Sequence, residues 1–244
     1  MDNLSQLVLD RAEQRAEARF GMADSGLTLG RAAELARLAA GALASSGVEP
    51  GARTAVIGAS SDSYLVGWLG MVLAGAAPAL VNPDYPTGLI NEMLAQLRPE
   101  AVLWIGVEPQ PAAAPAAFHL DGSGLDEGRL LAAGRAVRGT VPDPLPGLSR
   151  RRLDTAGYMH TSGTTGVPKF CEQTHEYYLR LGRFIADSMC LSAADTVLAP
   201  LPMFHINPLG YGVVGGLTGR SDVLGLQRFS ARRFWPLVKE TGAT

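Results

Sequence analysis

From Tyr64 to Val81 the chain runs eighteen residues without a charged side chain. A stretch of that length is either a membrane-crossing helix or a pair of elements buried inside a protein. Gly67, Gly70, Gly75 and Pro78 punctuate it, which divides it into a buried helix, Asp62 to Ala74, and a buried strand, Ala77 to Val81. A strand that is apolar at every position has no solvent face, the condition of a parallel sheet covered on both sides by helices. No membrane span is expected here, and the neighbouring sequence must supply the remaining strands and the covering helices.

It does so in alternation. Leu29 to Ser46 is alanine-rich with apolar residues at helical spacing, and Gly47 reads as its stop. Thr54 to Gly58 reads as a strand, Thr87 to Leu97 as a helix and Ala101 to Ile105 as a strand. This order is that of an α/β fold with doubly wound, mostly parallel sheets, flanking helices and right-handed crossovers. Proline-rich stretches at Glu108 to Pro115 and Val141 to Pro146 mark loops or a subdomain connection, with Phe118-His-Leu120 a short strand between them. The expected division is a first α/β subdomain with N-terminal helices over 1–150, and a second over 151–244. The second opens with a strand, Thr155 to His160, a return strand from Phe170 to Gln173, and a helix from His175 to Met189.

The pattern then repeats. Asp195 to Ala199 echoes the strand at Thr54, Asn207 to Leu217 is a glycine-containing apolar helix, and Ser221 to Leu226 is a strand. Ser230 to Thr241 is a helix with Ser230 as N-cap. With Thr54 and Thr196 as equivalent starts, Ala101 and Ala243 both lie 47 positions on. In the first copy that position opens a buried strand, so the second copy is expected to be cut where a core strand begins. An open sheet edge and exposed apolar helix faces should result.

Composition excludes several classes. Hydrophobic residues make up 47% and charged residues 18%, the net charge is −2, and the longest basic run is Arg150-Arg-Arg152, so no nucleic-acid surface is expected. The two cysteines, Cys171 and Cys190, fit a reducing compartment, with Cys171 expected to be a buried structural thiol. The charged N-terminus lacks the apolar segment of a signal peptide, which makes the cytoplasm the default. Four scattered histidines, with no cysteine or histidine partners at ligand spacing, give no zinc site, and no metal site is assigned.

The chemistry concentrates in Tyr158-Met-His-Thr-Ser-Gly-Thr-Thr-Gly-Val-Pro-Lys169. Glycines let a backbone approach a ligand so that amide N–H groups converge on oxygen anions. Hydroxyls add donors, and a lysine adds a point charge. The ordinary alternative for such a composition is a surface linker. The spacing fails the Gly-x-x-x-x-Gly-Lys-Ser/Thr pattern of P-loop NTPases, because Gly163 and Gly166 are too close and Phe170 follows the lysine.

Thr161-Ser-Gly-Thr-Thr-Gly-Val-Pro-Lys169 instead resembles the phosphate loop of the adenylate-forming superfamily of acyl-CoA synthetases, nonribosomal peptide adenylation domains and luciferases. Leu73 to Pro86, Gln173-Thr-His175 and Leu201-Pro-Met-Phe-His205 fall in the order that superfamily would place them. With Phe229 to Trp235 the resemblance runs from about Leu27 to the last residue and leans towards acyl-CoA ligases. It implies that Thr161, Ser162, Gly163, Thr164, Thr165, Gly166 and Lys169 grip the phosphates of ATP, with Lys169 as catalytic counter-charge. His205 would stand beside the carboxylate and acyl pocket. An interior histidine bonded to a backbone carbonyl is the ordinary alternative for His205. His175 reads as structural, and His160 is unassigned.

The resemblance further implies an acyl-adenylate formed from a small carboxylic acid and ATP with Mg²⁺, pyrophosphate as leaving group, and then a thioester with coenzyme A or a carrier-protein thiol. Superfamily members are longer and carry an aromatic-Gly-x-Thr-Glu stretch, a ribose-binding aspartate and a C-terminal lid with a catalytic lysine. None of these is found in this chain, so most Mg²⁺ ligands would lie elsewhere and the chain by itself is expected to be inactive. Phe170 and Cys171 stand where the family usually has glycine after the loop lysine. The alternatives are a non-catalytic nucleotide- or acyl-binding protein, one half of a two-chain assembly, or an α/β nucleotide-binding domain unrelated to adenylation.

Overall fold

The structure, a computed structural model, describes residues 1–107, 116–120, 129–132, 135–138, 140–161 and 166–244. The proline-rich segment from Glu108 to Pro115 and the loop residues Ser162, Gly163, Thr164 and Thr165 lie outside the described residues. The elements follow the sequence as α1 (Leu4–Gln14), β1 (Phe20–Met22), α2 (Leu29–Ser45), β2 (Arg53–Gly58), α3 (Asp62–Leu73), β3 (Ala77–Val81), α4 (Thr87–Leu97) and β4 (Ala101–Ile105). Next come β5 (Ala116–Leu120), β6 (Arg129–Ala132), β7 (Arg135–Arg138), β8 (Thr155–His160), β9 (Phe170–Thr174), α5 (His175–Ser188) and β10 (Thr196–Ala199). A π-helical turn (Asn207–Val214), α6 (Gly215–Gly219), β11 (Asp222–Gly225) and α7 (Ala231–Thr241) complete the chain.

The strands make an eight-stranded sheet in the order β7-β6-β5-β4-β2-β3-β8-β9 and a three-stranded sheet in the order β1-β11-β10. The inner run from β5 to β8 is parallel, and antiparallel pairs finish both edges of the large sheet. The three-stranded sheet is parallel throughout. Strands from before and after residue 150 share both sheets, since β8 and β9 extend the larger one and β1 joins the smaller.

The charge-free stretch is buried on both sides for the reason its composition gives. Alternate residues of each inner strand enter different cores: Val56, Leu80 and Leu103 join the cluster that holds α1, α2 and α3. Ala55, Ile57, Ala79, Val81, Val102 and Trp104 join Ile90, Met93 and Leu94 of α4 on the opposite face. Helix α3 is buried at every position after Asp62, with Trp68 only 2% exposed. Its N-cap Ser61 accepts the Tyr64 N–H, and Asp62 Oδ1 accepts the Met22 N–H at 2.7 Å, tying the large sheet's helix to β1.

Helix α3 ends against the segment before β8 with no room to spare. A Cβ built on Gly147 would stand 2.5 Å from the Val72 carbonyl oxygen and 2.8 Å from that of Leu73. Gly147→Ala should therefore cost about 1–3 kcal/mol of stability by overpacking, read as a lowered denaturation midpoint with unchanged m-value. An unchanged midpoint would mean that the segment simply moves aside.

Four features depart from the sequence reading. The segment Asn207 to Leu217 is π-helical through Val214 and becomes α-helical only at Gly215. Ser230 holds the N-cap position of α7 but makes no side-chain cap bond. The short strand β1 and the β6–β7 hairpin are additions. Cys171 is exposed, because it follows Phe170 on β9 and faces away from the core that Phe170 packs against.

The repeat recurs in space with its register shifted by one or two residues. Thr54 of β2 pairs with Ala101 of β4 on one side and Pro78 of β3 on the other. Thr196 of β10 pairs with Asp222 of β11 on one side. On its other side Thr196 meets Thr244, whose N–H donates to the Thr196 carbonyl at 3.1 Å. Beyond that point the edge of β10 borders an apolar groove of about 430 Å³, lined by Met189, Leu198, Tyr211, Trp235 and Val238, where Trp235 is 73% exposed.

Candidate functional site

Three loops leave the carboxyl ends of parallel strands and meet, the place where open α/β sheets bind ligands. Adjacent strands β3 and β8 bring Tyr85, in the β3–α4 loop, against His160, the last residue of β8, with ring centroids 5.7 Å apart. The loop after β10 brings His205 to the other side of His160, at 6.0 Å. Phe204 packs edge-on against His205 at 4.7 Å. Sequence reasoning left His160 unassigned; here it joins the hydroxyl-rich loop to the Leu201-Pro-Met-Phe-His205 segment.

The loop itself is the connection of an antiparallel hairpin. His160 pairs with Phe170, and one step further the Thr161 N–H donates to the Lys169 carbonyl at 2.9 Å while the Lys169 N–H donates to Thr161 Oγ1 at 3.3 Å. Thr161 and Lys169 thus close the neck, and both side chains are exposed. Gly166 has φ +150° with open space around it, a backbone state that an L side chain rarely adopts. Val167 and Phe170 pack against the core on the α4 face beside Tyr85, Leu89 and Tyr158. The bulk of Phe170, where the family resemblance would place glycine, is absorbed by that core and anchors the returning strand.

The second segment is also braced. The buried Ser60, in the β2–α3 loop, accepts the Met203 N–H at 3.0 Å, and the His205 N–H donates to the Pro202 carbonyl at 3.1 Å. Ser60 was not singled out from sequence, because a lone serine after a strand carries no signal until its partner is known. The π-helical turn begins two residues beyond His205, and such turns are frequent at functional sites.

Burial lowers the His160 pKa, opposed by its bond to the Thr161 carbonyl. Burial, and then His160, lower that of His205. Both shifts favour the neutral imidazole. His160 Nδ1 lies 3.3 Å from the Thr161 carbonyl oxygen, while its Nε2 is buried without a partner among the described residues. A buried nitrogen without a partner costs about 1–3 kcal/mol, and among the described residues Thr54, Tyr64, Trp104 and Arg150 carry other such atoms.

His175 sits elsewhere. It is 2% exposed at the start of α5, and its Nδ1 accepts the Leu4 N–H at 3.2 Å, which fastens α1 to the core. Among the described residues no three histidines, cysteines or carboxylates gather where they could hold a metal ion. The described residues do not make a Mg²⁺ site. No helix among the described residues is long and apolar enough to cross a membrane.

The family model of the AMP-binding enzymes matches residues 9–244. The chain belongs to this adenylate-forming superfamily. It is 27% identical over 251 residues to the oxalate–CoA ligase of Arabidopsis thaliana, covering 100% of this chain and 48% of that protein. It is 30% identical over 247 residues to the medium/long-chain-fatty-acid–CoA ligase FadD6 of Mycobacterium tuberculosis, covering 96% of this chain and 40% of the relative. The chain thus spans less than half the length of either. Its fold matches the crystal structure of the N-terminal domain of FACL13 from Mycobacterium tuberculosis with a TM-score of 0.81 at 21% identity, over 100% of this chain and 62% of the other.

Proposed function

We propose that this chain supplies the phosphate-gripping and carboxylate-facing portion of an ATP-dependent acid–thiol ligase. The observation that carries the reading is the meeting of the hairpin neck at Thr161 and Lys169 with His160, His205 and Tyr85 at the carboxyl ends of the strands. Three segments far apart in sequence converge there, and each belongs to the resemblance on which the reading began.

A carboxylate is a poor acyl donor, because oxide would have to leave. In the proposed reaction a carboxylate oxygen attacks the α-phosphorus of ATP, the bond to the bridging oxygen breaks, and pyrophosphate leaves with the electron pair. A thiol, from coenzyme A or a carrier protein, then attacks the acyl carbonyl and expels AMP. In this scheme Thr161, Ser162, Gly163, Thr164, Thr165 and Gly166 hold the β- and γ-phosphates with preorganised donors, and Lys169 answers the charge that grows on the departing pyrophosphate. His205, neutral and backed by Phe204, borders the acid. The relatives named above are ligases of oxalate and of medium and long fatty acids, so likeness extends the proposal to carboxylic acids as a class.

The test is carboxylate-dependent exchange of labelled pyrophosphate into ATP, measured on this chain and on the chain continued by its natural downstream sequence. Exchange by the longer form that depends on an added acid is the expected result. No exchange by the longer form with any of a panel of short, medium and aromatic acids would overturn the reading. ATP binding without exchange would favour a non-catalytic nucleotide-binding protein instead.

A further inference from the structure

The contact of His160 with His205 is more than ring packing. A carbonyl only accepts, so His160 Nδ1, facing the Thr161 carbonyl, carries the ring proton, and Nε2 keeps a lone pair. That lone pair is buried and has no donor among the described residues. Among the described residues the His160 ring is met by Tyr85, edge-on at 5.7 Å, and by His205, at 6.0 Å and tilted by 58°. His160 is held by β8 and by its bond to Thr161, whereas His205 is exposed, fastened through its backbone and touched by the Phe204 ring. The 6.0 Å between the ring centroids is the separation that a side-chain rotation of His205 has to close.

We propose that His160 is a positioning residue for His205: its Nε2 accepts a ring N–H of His205, fixing the tautomer and direction of that imidazole so that the second His205 nitrogen faces the cleft. Only the last clause rests on the function proposed above. A direct line then runs from the neck of the phosphate loop, through the Thr161 carbonyl and His160, to the ring beside the acid. The same arrangement explains why an orphaned nitrogen is tolerated at this position.

Nitrogen-resolved NMR of the imidazoles in this chain at neutral pH tests the proposal. The expected result is His160 in the Nδ1–H tautomer and His205 biased to one tautomer by roughly tenfold, the effect of one ordinary hydrogen bond. His160→Phe should return His205 to the mixture of a free imidazole, and His160→Gln, whose amide oxygen can accept, should keep most of the bias. Tyr85→Phe should leave it unchanged. His160 carrying its proton on Nε2 would overturn the proposal, as would an unbiased His205 in the wild type or loss of the bias in Tyr85→Phe. Should His160→Phe fail to fold, the wild-type tautomers and the glutamine variant still decide. No nucleotide enters the measurement, so a failed exchange assay would sink the proposed function and leave this inference standing.

Discussion

Replacing Lys169 by alanine in an exchange-competent form of the protein will slow acyl-adenylate formation by roughly ten- to a hundredfold, the effect of losing one charge-assisted contact to a phosphate oxygen. The thiol step will change much less, because pyrophosphate has left by then. The asymmetry follows from geometry: the Lys169 backbone is held in place by Thr161 on both its N–H and its carbonyl, so truncation of the exposed side chain removes a charge without opening the hairpin. Single-turnover measurement of the two half-reactions separates the outcomes. Equal slowing of both would show that Lys169 does not answer the leaving pyrophosphate, and unchanged rates would remove it from the site.

Acid will destabilise the fold through His175. Burial, with a smaller contribution from the Arg150 charge, holds its pKa down to about 4, while Asp154 opposes the shift. In the unfolded chain an unperturbed histidine titrates near pH 6.5. Between those values the unfolded chain binds a proton that the folded one refuses, so stability is complete above about pH 6.5 and falls as the pH drops towards 4. The shift amounts to about 3 kcal/mol at the lower end. His175→Gln keeps an acceptor for the Leu4 N–H and does not titrate. Denaturant titrations at several pH values should show the wild type losing up to about 3 kcal/mol more than this variant over that range. Parallel pH dependences in the two proteins would show that His175 is not the buried titrating group.

His160 and His205 move in the same direction, since burial lowers both, but they cancel in that comparison because the variant retains them. Their neutrality matters instead for the site. Under the proposed function, a neutral His205 would offer the acid a hydrogen bond without pairing to it as an ion.

Much of the larger sheet was legible in the sequence. The bounds of β3, α4, β4 and β8 fall at the residues read from the apolar runs, because continuous apolar strands between glycine and proline punctuation have few alternatives. The 47-residue offset is missed by one position, because Ala101 pairs with Thr54 whereas it is Thr244, not Ala243, whose N–H meets Thr196. The strand β1 was not legible: three residues are too few for a period, and its partner β11 lies about two hundred residues away. Cys171 was misplaced for a similar reason, because a one-residue change in register moves a side chain to the opposite face.

The candidate site divides along the same line. Hydroxyls, glycines and a lysine in nine residues raise the expectation of polyphosphate through chemistry that acts within one loop, and the sequence alone is enough to raise it. The role of His160, the bracing of Met203 by Ser60 and the covering of Phe170 depend on β8 lying beside β3 and on the β10 loop reaching across to it. Local composition determines which elements form and what a short loop can bind. Which distant side chains meet is decided only in three dimensions, because strand order is set by packing both faces of the sheet at once, and no window of the chain contains that condition.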